Sequence, residues 1–191
     1  MAVNLKKGEA ISLLKEAGTD TLEEIVMGLG WSAMKTGFFG GGGSIDLDAS
    51  CIIFNEKGKK LDEVWFRNLS SRDNSVVHSG DNLVGGDGDS DDEQIVVKLN
   101  KLPKEASSLL FTVNNFTGQN FSKVKNAYCR IVNAKDKKEL AKYDLSCSGE
   151  HTAMLMAKVY KQDKEWKLEA IGETSRGRTF QDMMPLLEKH S

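Results

Sequence analysis

The chain has no apolar run approaching the eighteen or so residues that a membrane-spanning helix needs, so no segment is expected to cross a bilayer. Nor does an apolar stretch follow the lysines of the opening M-A-V-N-L-K-K-G-E-A, which argues against a secretory signal. Cysteine is scarce. Cys51, Cys129 and Cys147 are an odd number without metal-ligand spacing, and the first two lie inside apolar runs, where a buried free thiol is the default. A reducing cytoplasm is the compartment this implies. There is no excess of positive charge either: 26 Lys and Arg against 28 Asp and Glu leave a net charge of −2, too little basic field for nucleic acid. The machinery of nucleophilic catalysis is missing as well. His78, His151 and His190 do not pair with a cysteine at a family-typical spacing, and G-x-S-x-G is absent. The glycine run at 40–43 lacks the Lys-Ser/Thr of a phosphate loop.

Proline is rare too, with only Pro103 and Pro185, whereas glycine is plentiful and short β-branched or aromatic runs recur. That combination predicts an all-β chain. One or two short strands broken at Lys7–Gly8 are expected over 3–14, with others at 25–29, 45–54 and 63–69, and at 94–99 and 108–113. Further strands follow at 127–132, 139–145, 152–160 and 165–171, with a helical turn near 121–126. In 45–54 a period of two puts Ile45, Leu47, Ala49, Cys51 and Ile53 on one face and Asp46, Asp48 and Ser50 on the other. Trp166, Leu168 and Ala170 alternate with charged residues, as in a half-buried strand. The segment 35–44 reads as a loop carrying Phe38 and Phe39. From Thr179 the tail reads as a short amphipathic helix with Thr179 and Asp182 as a capping pair, and Pro185 falls awkwardly beyond its first turn. This spacing predicts a β-sandwich of two mainly antiparallel sheets with a short C-terminal helix. No repeat or boundary divides 1–191, so one domain is expected.

One stretch stands apart. From His78 to Glu93 the chain reads H-S-G-D-N-L-V-G-G-D-G-D-S-D-D-E, with six carboxylates, four glycines and no Lys or Arg. So many like charges repel, and glycine does little to hold them in a helix or strand, so a positive partner is called for. Oxygens at every second residue (Asp87, Asp89, Asp91) suit a loop wrapped around a cation. Calcium, which takes six to eight oxygen ligands, fits better than magnesium, which keeps its waters. The loop is not an EF-hand, because Asp92 stands where the turn glycine belongs. A solvated charge run is the plainer alternative. Asp46 and Asp48, two positions apart on one strand face, can join the set, although an ordinary solvated edge would look the same. His78 has oxygen donors all around and no second histidine, so it reads as a hydrogen-bonding residue. Arg176 and Arg178 form a small basic motif that reads most simply as a solvated turn.

The segments G-L-G-W (28–31), S-I-D-L-D-A-S-C (44–51), V-W-F-R-N-L (64–69), the acidic stretch from Val76 to Glu93, F-T-V-N (111–114), N-A-Y-C-R-I-V-N (126–133) and R-G-R-T (176–179) resemble the TerD family of tellurite-resistance and stress proteins. The TerZ-like members and the cAMP-binding-protein-like branch resemble the chain most. Gly86 and Ser90 depart from the residues usual in the family. The resemblance implies a β-sandwich with calcium in acidic loops at one end, two ions being the expected load. Carried over by motif, the metal-binding positions are Asp46, Asp48, Asp81, Asn82, Asp87, Asp89, Asp91, Asp92 and Glu93. The expected function is that of a non-enzymatic, calcium-binding stress protein. Its expected partners are divalent ions and proteins of the same stress system at the inner membrane surface, not nucleic acid. A small-molecule module for a cyclic nucleotide is the alternative, with little beyond Arg176 and Arg178 to receive a phosphate. A metal-dependent enzyme lacks an evident base or nucleophile.

Overall fold

A computed structural model describes residues 2–33, 46–80, 91–144 and 149–191. Two six-stranded sheets face each other. The first runs β1 (Val3–Asn4), β10 (Glu139–Asp144), β9 (Val124–Asn133), β3 (Glu24–Ala33), β7 (Glu93–Lys98), β6 (Val76–His78). The second runs β2 (Ala10–Ser12), β12 (Glu165–Ser175), β11 (Ala153–Gln162), β8 (Ala106–Asn115), β4 (Leu47–Asn55), β5 (Lys60–Val64). Among the described residues, only β1 and β10 pair in parallel. The expected all-β sandwich is therefore what forms.

The inward faces follow the alternation of the strands. Ile25, Met27, Leu29 and Trp31 of β3 pack in one core cluster with Leu47, Ala49, Cys51 and Ile53 of β4 and with Leu168 and Ala170 of β12. Cys51 is a buried free thiol and Cys129 is buried as well, as their apolar surroundings predict. Burial in that core pushes the Cys51 thiol far above its ordinary pKa.

A second cluster lies on the outer face of the second sheet. There Ile52, Phe54, Leu110 and Leu155 meet Phe180, Met183 and Leu187 of the tail. The tail is a 3-10 turn (Phe180–Met183) leading into α2 (Met184–His190). Asp182 accepts from the backbone N–H of Arg178 at 2.8 Å and of Thr179 at 3.3 Å, fastening the entry. Pro185 causes no kink, because the 3-10 turn delays α2 and leaves the proline in its first turn. This cover buries β4 on both faces, including the Asp48–Ser50 face.

Two local readings need correction. A short helix, α1 (Leu13–Ala17), replaces the end of the first strand region; Ser12 caps it by accepting from the Lys15 N–H, and Gly18 closes it at φ 68°. The strand expected at 63–69 begins earlier and ends at Val64, since Trp65 and Asn68 bond reciprocally across a tight turn. The Phe38–Phe39 loop and Cys147 lie outside the described residues.

Candidate functional site

Strand direction brings the acidic residues to one end of the sandwich. The start of β4, the end of β6 and the start of β7 lie there, with the ends of β3 and β8 beside them. The segment 81–90 leaves from Gly80 and returns at Asp91. Its members Asp81, Asn82, Asp87 and Asp89 lie outside the described residues. The other candidates are all described.

Asp91, Asp92 and Glu93 are consecutive, yet each does a different thing. Glu93 is 1% exposed and reaches from the first sheet to the second, where its Oε2 accepts from the Ala49 N–H at 2.7 Å. The β4–β5 pairing runs only from Cys51 to Phe54, so at Ala49 the carboxylate serves a strand edge that β5 does not reach. His78 lies beside it, its Nε2 at 3.4 Å from Glu93 Oε2. Because His78 Nδ1 accepts from the Gly80 N–H at 3.0 Å, the ring proton of a neutral imidazole sits on Nε2, facing the carboxylate. The expected hydrogen-bonding role of His78 is realised at the Gly80 amide.

Asp92 fastens the end of β3. Its N–H donates to the Leu29 carbonyl at 2.8 Å, and its Oδ2 accepts from the Trp31 N–H at 2.8 Å. Trp31 sits at the register shift between Gly30 and Ser32, so the carboxylate supplies an acceptor where the ladder slips.

Asp91 turns to the outer face of the first sheet. Arg130 Nε holds its Oδ1 at 2.7 Å, and Gln94 Nε2 donates to its Oδ2 at 3.0 Å. The Asp91 side chain is 1% exposed against 27% for Arg130, so the carboxylate is the buried partner of this ion pair. Burial works against the Arg130 charge, but the hydrogen bond and charge of Asp91 outweigh it and raise the guanidinium pKa. Beside them the Tyr128 hydroxyl is pushed up to about 12 by burial, with the Asp91 charge adding to the effect.

The G-L-G-W motif explains why this arrangement fits. A Cβ on Gly28 would run into the Asp91 carboxylate, and one on Gly30 would run into the Tyr128 ring. Two glycines at a spacing of two thus flatten one face of β3, while Leu29 and Trp31 fill the core from the other. Arg130 and Tyr128 escape sequence reasoning because nothing local links them to Asp91. The alternating glycines were the available signal.

Asp46 and Asp48 are 9% and 4% exposed, so the solvated-edge alternative for them does not hold. Asp48 pairs in register with Asn114, and Ser50 with Thr112, forming a buried polar strip that continues the outer cluster. The donors at this end are hard oxygens, the class that suits calcium rather than a softer metal. Among the described residues, no three His, Cys, Asp or Glu side chains converge closely enough to hold an ion. Arg176 and Arg178 are exposed, as a solvated turn would be.

Comparison with known proteins agrees with this architecture. The TerD domain model matches residues 1–185. The chain is 45% identical to tellurium resistance protein TerZ of Serratia marcescens, over 95% of this chain and 94% of that one. It is 38% identical to stress response protein SCP2 of Bacillus subtilis (strain 168), over 96% and 98% of the two chains. A solved homologue of telluride resistance protein from Streptomyces coelicolor A3(2) superposes with a TM-score of 0.65 at 15% identity, covering 87% of this chain and 96% of that one, which speaks for the fold alone.

Proposed function

The chain belongs to the TerD family of tellurium-resistance and stress-response proteins, and from that premise we propose that it is a non-enzymatic calcium-binding member, with the ion held at the acidic end of the sandwich. The observation that carries this reading is the burial of Asp46 and Asp48, two positions apart where the chain enters β4, at the sheet end where the acidic segment 81–90 leaves and returns. Burying carboxylates is costly unless positive charge or hydrogen bonds compensate, and neighbouring acidic chain raises that cost.

In this reading Asp48 on β4 and Asp46 just before it supply ligands, and Asp81, Asn82, Asp87 and Asp89 complete the set. Asp92 and Glu93 act mainly on the protein itself, fixing the Trp31 and Ala49 amides so that the returning chain has one course. Asp91 is assigned to its ion pair with Arg130, which pins the outer side of the same end. Calcium, when bound, supplies positive charge that cancels the mutual repulsion of these carboxylates. Loss of that repulsion stiffens the end and makes it less negative, which suits approach by a partner protein or an anionic membrane surface. No helix among the described residues is long and apolar enough to cross a membrane.

Calorimetry on chelator-treated protein tests the proposal, together with thermal melts at increasing calcium. At a hundredfold excess over Kd, binding to the native state alone stabilises by about 2.7 kcal/mol. The doubles Asp46→Ala/Asp48→Ala and Asp81→Ala/Asp89→Ala are each expected to abolish the rise in Tm. An undiminished rise in both doubles would reject the site.

A further inference from the structure

The opposite end of the sandwich carries a cleft that has no part in the acidic site. It has a volume of about 370 Å³, within the range of small-molecule pockets, and lies between α1, the chain entering β3, the turn after β7 and the β11–β12 hairpin. Its floor is Leu13 and Leu99, both buried in the main core. Leu14, Leu22 and Trp166 form half-buried walls. The rim is charged: Asp20, Glu23 and Glu165 against Lys164, with Lys161 beyond it. Glu165 is held in place by the Ser12 hydroxyl, which donates to its Oε2 at 3.0 Å. The Lys161 ammonium lies 5.6 Å from the Trp166 ring centroid, so a second cation here must sit at the carboxylates of the rim, with the indole offering its apolar body.

We propose that this cleft is a binding site for a small organic amine, with the apolar body of the ligand between Leu22, Leu99 and Trp166 and its ammonium at the Asp20–Glu23 rim. Charge complementarity decides the class. A fatty acid or cyclic nucleotide would bring an anion to a rim where three carboxylates outnumber Lys164 and the nearby Lys161, whereas an amine pairs with the exposed Asp20 and Glu23 carboxylates and stacks its apolar body on the indole. A bare metal ion would leave the leucine floor unused. A peptide helix would need a long groove, and this cleft holds about one aromatic side chain and its linker. The inference is independent of the calcium reading.

The test follows backbone and indole NMR signals of the full chain, in chelator, through a titration with phenethylammonium. 2-Phenylethanol and 3-phenylpropanoate serve as the neutral and anionic counterparts. The expected shifts fall at Leu22, Leu99 and the Trp166 indole and spare His78 and Glu93. Phenethylammonium should bind about tenfold more tightly than the alcohol, as one charge-assisted contact provides, and the propanoate should not bind. The exposed pair Asp20→Asn/Glu23→Gln should erase the preference for the amine while leaving affinity for the alcohol unchanged. An unchanged melting curve would show that the variant folds. Equal binding of amine and alcohol overturns the proposal, as do shifts confined to the acidic end. So does sedimentation showing that a second copy of the chain fills the cleft. Running the titration in chelator separates failure here from failure of the calcium site.

Discussion

The two ends of this sandwich use the same side chains in opposite ways. At the acidic end, Asp46, Asp48, Asp91 and Glu93 are buried, and Glu93 and Asp92 each hold a backbone amide. At the cleft end, Asp20 and Glu23 are exposed on the rim of an apolar hollow. A buried carboxylate is committed: removing it strands whatever it held. An exposed one is available, and its removal alters the surface field and little else. Burial, more than residue type, decides how much the fold loses when one of these acids is removed.

The sharpest way to break this contrast is to truncate Glu93. Glu93→Ala leaves the Ala49 N–H and the His78 ring facing a vacated pocket, and the expected loss is about 3 kcal/mol of unfolding free energy by denaturant titration. Glu93→Gln keeps an acceptor for Ala49 and should cost clearly less. Asp20→Asn at the cleft end should change stability by less than about 0.5 kcal/mol. Equal losses at Glu93 and Asp20 would erase the distinction between the ends.

A second intervention acts on the glycine face. Gly28→Ala places a methyl group where the Asp91 carboxylate lies, so Asp91 must leave Arg130 or β3 must shift. A loss of about 1–3 kcal/mol is expected, as for overpacking elsewhere. Most of it should vanish in an Arg130→Leu/Asp91→Leu background if the ion pair is what the methyl disrupts.

Smaller and opposite in sign is the expected effect at the β11–β12 hairpin. Asp163 and Lys164 hold φ of 52° and 67° at the two central positions, where Asn-Gly is the unstrained choice. Asp163→Asn/Lys164→Gly should stabilise the protein by about 0.5–1 kcal/mol and leave any calcium response unchanged.

The smallest effect is a pH slope at the acidic end. Burial lowers the His151 pKa below its ordinary value, and the ring packs edge-on against Phe121 at 4.9 Å. A depressed folded-state pKa means the folded protein binds this proton less readily than the unfolded chain does. The contribution is therefore full above about pH 6.5 and falls away as the pH drops through the folded value. His151→Phe should flatten that part of a melting-temperature profile.

Much of the fold is visible along the chain because strand alternation is a local property. The split of β4 into a Leu47–Ala49–Cys51–Ile53 face and an Asp48–Ser50 face follows from period two alone. So does the inward set of β12. The capping of α1 was also written locally, in Ser12 and Gly18, but short apolar runs fit helix and strand equally well, and here the caps decide. V-W-F-R-N-L illustrates the reverse: its β-branched and aromatic content favours a strand, while reciprocal Trp65–Asn68 bonding makes a turn. The acidic residues were visible as a group, whereas their separate tasks were not. Arg130 is 39 positions from Asp91, and no periodicity connects them.

By itself, the sequence determined that the chain forms paired β-sheets with a capped tail helix, that its cysteines at 51 and 129 are buried, and that its negative charge concentrates in one stretch. These follow from alternation, propensity and composition, which act between near neighbours. Only the tertiary structure decided that Asp46 and Asp48 are enclosed, that Asp91 belongs to Arg130 while Glu93 crosses to the other sheet, and that an acid-rimmed cleft opens at the far end. Each of these depends on which strand lies beside which, and long-range pairing is set by the packing of the whole core rather than by any local run of residues.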